Sequence, residues 1–145
     1  MKVRCRIDRQ EHLPQEFLDA RILPGEAVFF PGELTIGEEH VVYAMGVEAG
    51  QLWFYLCAGR GESVPFRYPS PAFDVIDGRI SRSWVFDLVK TRHDSYPLLA
   101  FPEWVSDLAF YERLTDALEP ELGIFRRYRL LMDAESEEPD SPATA

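Results

Sequence analysis

Apolar positions crowd into two runs on either side of a short break. Val41, Val42, Tyr43, Ala44, Met45 and Val47 form the first run, Glu48-Ala49-Gly50 interrupts it, and Leu52-Trp53-Phe54-Tyr55-Leu56-Cys57 leads back. Enrichment in β-branched and aromatic residues around a Gly-containing break predicts a hairpin over His40–Ala58. Neither run alternates cleanly between apolar and polar residues. Both faces are therefore expected to be covered, with this hairpin at the centre of the core.

The pattern changes along the rest of the chain. Residues 2–7 have a period of two, with Val3, Cys5 and Ile7 on one face and Lys2, Arg4 and Arg6 on the other, which predicts a strand with a solvated basic face. A short helix over Glu11–Ala20, anchored by Phe17 and Leu18, should end at Leu23-Pro24-Gly25-Glu26. Ala27–Phe30 reads as a short strand closed by Pro31-Gly32. Gly59-Arg60-Gly61-Glu62 reads as a loop. In Ser63–Pro71, Pro65, Pro69 and Pro71 remove ladder donors, so this segment should lie extended along a sheet edge. Ala72–Ile76 and Ser83–Val89 are two further strands, with Asp77-Gly78 as the turn pair between them. Lys90–Leu98 is polar and contains Pro97, which predicts a loop.

Helical spacing dominates only after Pro102. Trp104, Val105, Leu108, Tyr111, Leu114, Thr115 and Leu118 recur three and four apart, and Glu119-Pro120 should stop that helix. A second helix over Glu121–Asp133 would bury Leu122, Phe125, Tyr128 or Arg129, and Met132, with Arg126 and Arg127 turned outward. Residues 134–145 offer no apolar anchor and contain Pro139 and Pro142, so they are expected to be a disordered acidic tail that folding does not need. Residues 1–133 form the single domain. Strands followed by helices indicate an α+β fold. Its expected core is a twisted, mostly antiparallel sheet of five or six strands, able to curl toward a barrel, with the C-terminal helices on one face. An open sheet with helices on both faces would require more helix early in the chain.

Composition sets the class of partner. The chain of 145 residues is 46% hydrophobic and carries 15 basic against 25 acidic side chains, a net charge of −10. Setting aside Glu135, Glu137, Glu138 and Asp140 leaves 21 acids, still a net of −6. Such a surface repels nucleic-acid backbones and favours a basic protein. Arg79, Arg82, Lys90 and Arg92, near Tyr68 or Trp84, could make one basic patch, and the Arg126-Arg127-Tyr128-Arg129 cluster either a second or a balance for Glu119 and Glu121, which keeps a nucleic-acid-associated regulatory role as an alternative. The N-terminus alternates charged and apolar residues instead of opening a signal segment, and no apolar run approaches a membrane span, so a cytoplasmic location is expected. Cys5 and Cys57 sit in apolar runs and read as reduced structural thiols.

Catalytic signals are sparse. His12, His40 and His93 lie far apart and lack metal-ligand spacing, and no motif calls for a cofactor. His40 as a base or Cys57 as a nucleophile would support a small hydrolase-like enzyme, if folding brought partners to them. Glu33, Glu38, Glu39, Asp74 and Asp77 flank apolar strands near turns and are the candidate rim for protein binding.

The strand segments Val41-Val42-Tyr43-Ala44, Phe73-Asp74-Val75-Ile76-Asp77 and Ser83-Trp84-Val85-Phe86 resemble those of small acidic bacterial immunity proteins over roughly residues 33–130. That resemblance implies a non-catalytic domain that inhibits a basic toxin by stoichiometric binding. It carries no site over by position.

Overall fold

The computed structural model describes residues 1–19, 30–59 and 61–139. The fold is α+β, with two antiparallel sheets and C-terminal helices packed against them. Its elements are β1 (Lys2–Cys5), α1 (Gln15–Asp19), β2 (Glu39–Val41), β3 (Ala44–Glu48), β4 (Gln51–Leu56), β5 (Phe66–Pro69), β6 (Phe73–Asp77), β7 (Val85–Lys90), β8 (Ser95–Ala100), α2 (Pro102–Val105), α3 (Phe110–Thr115) and α4 (Glu121–Ser136). The three-stranded sheet has the order β2-β1-β6 and the five-stranded sheet β5-β4-β3-β8-β7. No barrel closes among the described residues, because each sheet keeps two edge strands.

The hairpin read from the apolar pattern is β3–β4. Glu48 pairs with Gln51, so Ala49 and Gly50 are the two loop residues. Their φ values are 53° and 73°, as a type I′ turn requires, and glycine takes the second position without Cβ strain. The first apolar run is longer than β3, and it divides at Val42-Tyr43. On one side β2 pairs with β1, and on the other β3 pairs with β4. Val42 N–H still donates to Met1 O at 3.1 Å, while Tyr43 N–H has moved to Tyr55 O at 2.9 Å. One continuous stretch of sequence thus supplies both sheets.

Packing follows the alternation along β4. Phe54 meets Phe73 of the three-stranded sheet at a ring separation of 6.2 Å. On the opposite face, Tyr55 meets Trp104 at 5.0 Å and Tyr111 at 5.2 Å. The five-stranded sheet therefore lies between the helices and the smaller sheet. Trp53, Phe54 and Trp84 are all buried. The Trp84 indole N–H also donates to Tyr43 O at 2.9 Å, which fixes the point where the chain passes between sheets.

Prolines account for several details. Among the described strands β5 pairs with β4 alone, an edge position that suits a strand ending in Pro69. Lys90–Leu98 is not the expected loop: Thr91–Asp94 turns the chain, and β8 pairs with β7 over its full length. Pro97 faces Leu88 there, while the β8 pairs with β3 are confined to Leu98 and Leu99 beyond it. Pro97 thus sits where the β3–β8 ladder stops, so its missing N–H removes no bond from the β7 side. Nor do β6 and β7 form a hairpin. Asp77 folds back on Arg79, and the segment to Trp84 carries the chain to the other sheet.

Two helix boundaries also shift. The expected helix through Leu118 is broken at Ser106–Ala109 into α2 and α3, where the Asp107 carboxylate accepts from Ala109 N–H at 3.0 Å and pairs with Arg113. α4 begins after Pro120, with Leu122, Phe125 and Met132 buried and Arg126 and Arg127 exposed. It continues past Asp133 to Ser136 because polar contacts replace the missing apolar anchors. Ser136 is buried, its hydroxyl donates to Asp133 O, and Arg82 reaches Glu138 at 2.8 Å. Within Glu11–Ala20, the helix is reduced to Gln15–Asp19 around buried Phe17, after a single turn at Gln10–His12. The expected strand at Ala27–Phe30, apart from Phe30, and residues 140–145 lie outside the described residues.

Candidate functional site

A cavity of about 490 Å³ opens between the β2 edge and α4. Backbone pairing orients its floor. Cys5 N–H donates to Glu38 O and Val42 N–H to Met1 O, so Glu38, His40 and Val42 direct their backbone groups toward β1. Antiparallel alternation turns those of Glu39 and Val41 outward to the cavity. Val41, Tyr43 and Cys57 supply apolar surface, and α4 supplies Arg129, Asp133 and Ser136, with Glu137 just past its end.

The polar groups are held from several elements. The Tyr43 hydroxyl donates to Asp133 Oδ1 at 2.7 Å. Arg129 stacks over the Tyr43 ring with its guanidinium carbon 5.6 Å from the centroid, and its Nη1 donates to Glu62 O at 3.0 Å. Lys2 reaches Glu137 and Arg4 reaches Glu39, at 3.2 and 3.1 Å. Arg129 and Asp133, one helical turn apart, therefore face inward while Arg126 and Arg127 point away.

His40 and Cys57 do meet here. The His40 ring bonds to the Cys57 backbone, its side chain is 9% exposed, and Nε2 has no hydrogen-bond partner. The nearest carboxylate, Glu38, stands 4.0 Å away. Burial lowers the imidazole pKa below its ordinary value, against opposing pulls from Glu38 and Glu62, so the ring is neutral at pH 7. Burial pushes the Cys57 thiol up to about 12, despite the nearby Arg129. A neutral thiol is a poor nucleophile, and the contact His40 makes is with the Cys57 backbone. Glu62 packs against Gly59, where an added Cβ would lie 2.7 Å from Glu62 Oε1 and would displace that side chain.

The five acids singled out from the sequence do not gather at one rim. Glu38 and Glu39 stand beside the cavity, Asp74 and Asp77 lie on β6 at the other edge of the three-stranded sheet, and Glu33 is exposed in the loop before β2. Arg4 on the central strand stands opposite both Glu39 and Asp74. Asp77 is held by Arg79, which keeps its pKa down at about 2, so that carboxylate is committed inside the molecule. Tyr43, Asp133 and Glu137 were not among the candidate site residues, and Arg129 stood only in the basic group on the last helix. The one available signal was the i, i+4 spacing of Arg129 and Asp133, together with the choice between Tyr128 and Arg129 as the inward residue.

Among the described residues, no group of three or more His, Cys, Asp and Glu side chains could hold a metal ion. No described helix is long and apolar enough to cross a membrane. No protein-family model, curated protein or solved structure matched the chain.

Proposed function

We propose that this domain binds a basic protein in the cytoplasm and inhibits it stoichiometrically, as the immunity proteins it resembles do, without catalysing a reaction itself. The supporting observation is the β2–α4 cavity. Outward backbone groups of an edge strand line it beside Glu38, Glu39, Asp133 and Glu137, and His40 Nε2 is an unpartnered acceptor. Donor-rich lysine or arginine side chains, carried on an extended segment, suit such a surface: the backbone can add to the strand while carboxylates take the charges. The high thiol pKa of Cys57 argues against the hydrolase-like alternative.

The test is surface plasmon resonance against the basic partner, first captured from native lysate and then purified. Reversing Glu38, Glu39 and Glu137 together to lysine should slow association severalfold at low salt and change dissociation less, because rim charges act mainly on encounter. Association that is unaffected across a salt series would reject the cavity as the binding surface. Turnover of a substrate that disappears in Cys57→Ala would reject the non-catalytic reading.

A further inference from the structure

The five-stranded sheet ends on β7, where Val85, Phe86 and Leu88 are 41%, 61% and 46% exposed. Among the described strands, β7 pairs with β8 alone. The bond from Thr91 N–H to Asp94 O closes the turn, and counting back by twos directs the backbones of Val89, Asp87 and Val85 toward β8. Those of Phe86, Leu88 and Lys90 face outward. Leu88 N–H is held locally by Asp87 Oδ1 at 2.7 Å, as expected of an outward-facing donor with no strand beside it.

We propose that β7 pairs antiparallel with β7 of a second copy of this chain, joining two five-stranded sheets into one of ten strands. The partner is identified by self-complementarity. A two-fold axis at Leu88 sets Leu88 against the partner's Leu88, Phe86 against the partner's Lys90, and Asp87 against the partner's Val89. All three outward-facing residues then join the ladder. In this register Phe86, Leu88, Lys90 and Arg92 share one face of the joined sheet and Asp87 lies on the other, so the basic end of each strand lies beside the apolar residues of its partner. Residues 85–92 hold Asp87 against Lys90 and Arg92, so this edge escapes the strong negative charge of the chain. A lysine opposite Phe86 also covers the exposed ring with its aliphatic stem and ammonium group. The Asp87 carboxylate must release Leu88 N–H for pairing, so it opposes the dimer and keeps the edge from pairing indiscriminately.

Sedimentation equilibrium over a concentration series, combined with amide hydrogen exchange, tests this. The native chain should show a monomer–dimer equilibrium, with the amides of Phe86, Leu88 and Lys90 slowed as dimer forms. Leu88→Lys places two lysines on the axis and should abolish the dimer. Phe86→Lys should weaken it and serves as the second variant if Leu88→Lys does not fold. Asp87→Ala, which frees Leu88 N–H, should tighten it severalfold, and Leu131→Lys, on exposed α4 surface, should leave it unchanged. A monomer at every concentration overturns the proposal. So does a dimer that survives both strand substitutions, that is lost equally in Leu131→Lys, or that leaves the three amides unprotected.

Discussion

At β2 the three-stranded sheet turns an edge toward α4, whose side chains stand across a polar cavity from it. At β7 the five-stranded sheet turns an edge outward with Val85, Phe86 and Leu88 exposed. Both edges carry unspent backbone hydrogen-bonding groups, but they differ in how a partner would be chosen. In the proposed function the β2 edge selects by charge, a basic partner competing with Lys2, Arg4 and Arg129 for Glu137, Glu39 and Asp133. At β7 selection is by shape and self-match, with Asp87 as its guard. Burial of the chain between the edges teaches the same point: Tyr43 leaves the first sheet, and Trp84 enters the second bonded to the Tyr43 carbonyl.

The largest expected effect separates that buried connection from the open edge. Trp84→Ala removes a buried indole and the bond to Tyr43 O, and should cost about 3–5 kcal/mol in chemical denaturation. Leu88→Ala at the edge should change monomer stability by only about 0.5 kcal/mol or less, because its side chain is 46% exposed. Comparable losses for the two would mean that β7 belongs to the core and is no free edge.

Truncation after Asp133 probes the other edge and should have the next largest effect. It removes buried Ser136, the Lys2–Glu137 pair and the contacts of Glu135 and Glu138 with Arg82. Exposed ion pairs contribute little, so the loss should be about 1–2 kcal/mol, mostly from the helix end and Ser136. Truncation after Pro139 retains every one of these contacts and is the control. A denaturant midpoint unchanged by the shorter form would show that the cavity wall stands without its last turn.

These contrasts explain what the sequence made legible. The β3–β4 hairpin was visible because its turn chemistry and apolar content are local, and the same holds for the inward face of α4. The division of His40–Val47 between two sheets was not visible, since no break in hydrophobicity marks Val42-Tyr43; the distant Met1, Tyr55 and Trp84 create it. β8 was missed because Pro97 ordinarily argues against an inner strand, and its tolerated position depends on which neighbour its nitrogen faces. The candidate acids were chosen for exposure near turns. Whether each was free depended on its neighbours in the fold: Arg4 reaches Glu39 across the β1–β2 ladder at 3.1 Å, and Arg79, two residues further along the turn after β6, clamps Asp77 at 2.7 Å.

The smallest expected effect concerns His40, and it sharpens the contrast because β7 holds no buried titratable group. Burial lowers the imidazole pKa in the folded protein below its ordinary value of 6.5. As pH falls through 6.5, the unfolded chain takes up a proton that the folded protein still refuses, so stability present above that pH is progressively lost until the folded ring also titrates. His40→Gln cannot titrate and keeps a side chain able to reach the Cys57 backbone. Denaturation at pH 7 and pH 5 should therefore show a smaller acid loss in His40→Gln than in the native chain, by less than the cost of truncating α4. Equal losses would mean that Glu38, at 4.0 Å, compensates the buried ring fully, leaving the cavity open to a protonated His40 in mild acid. That result would remove Nε2 as an acceptor for a partner's basic side chain, while leaving the surrounding carboxylates able to bind it.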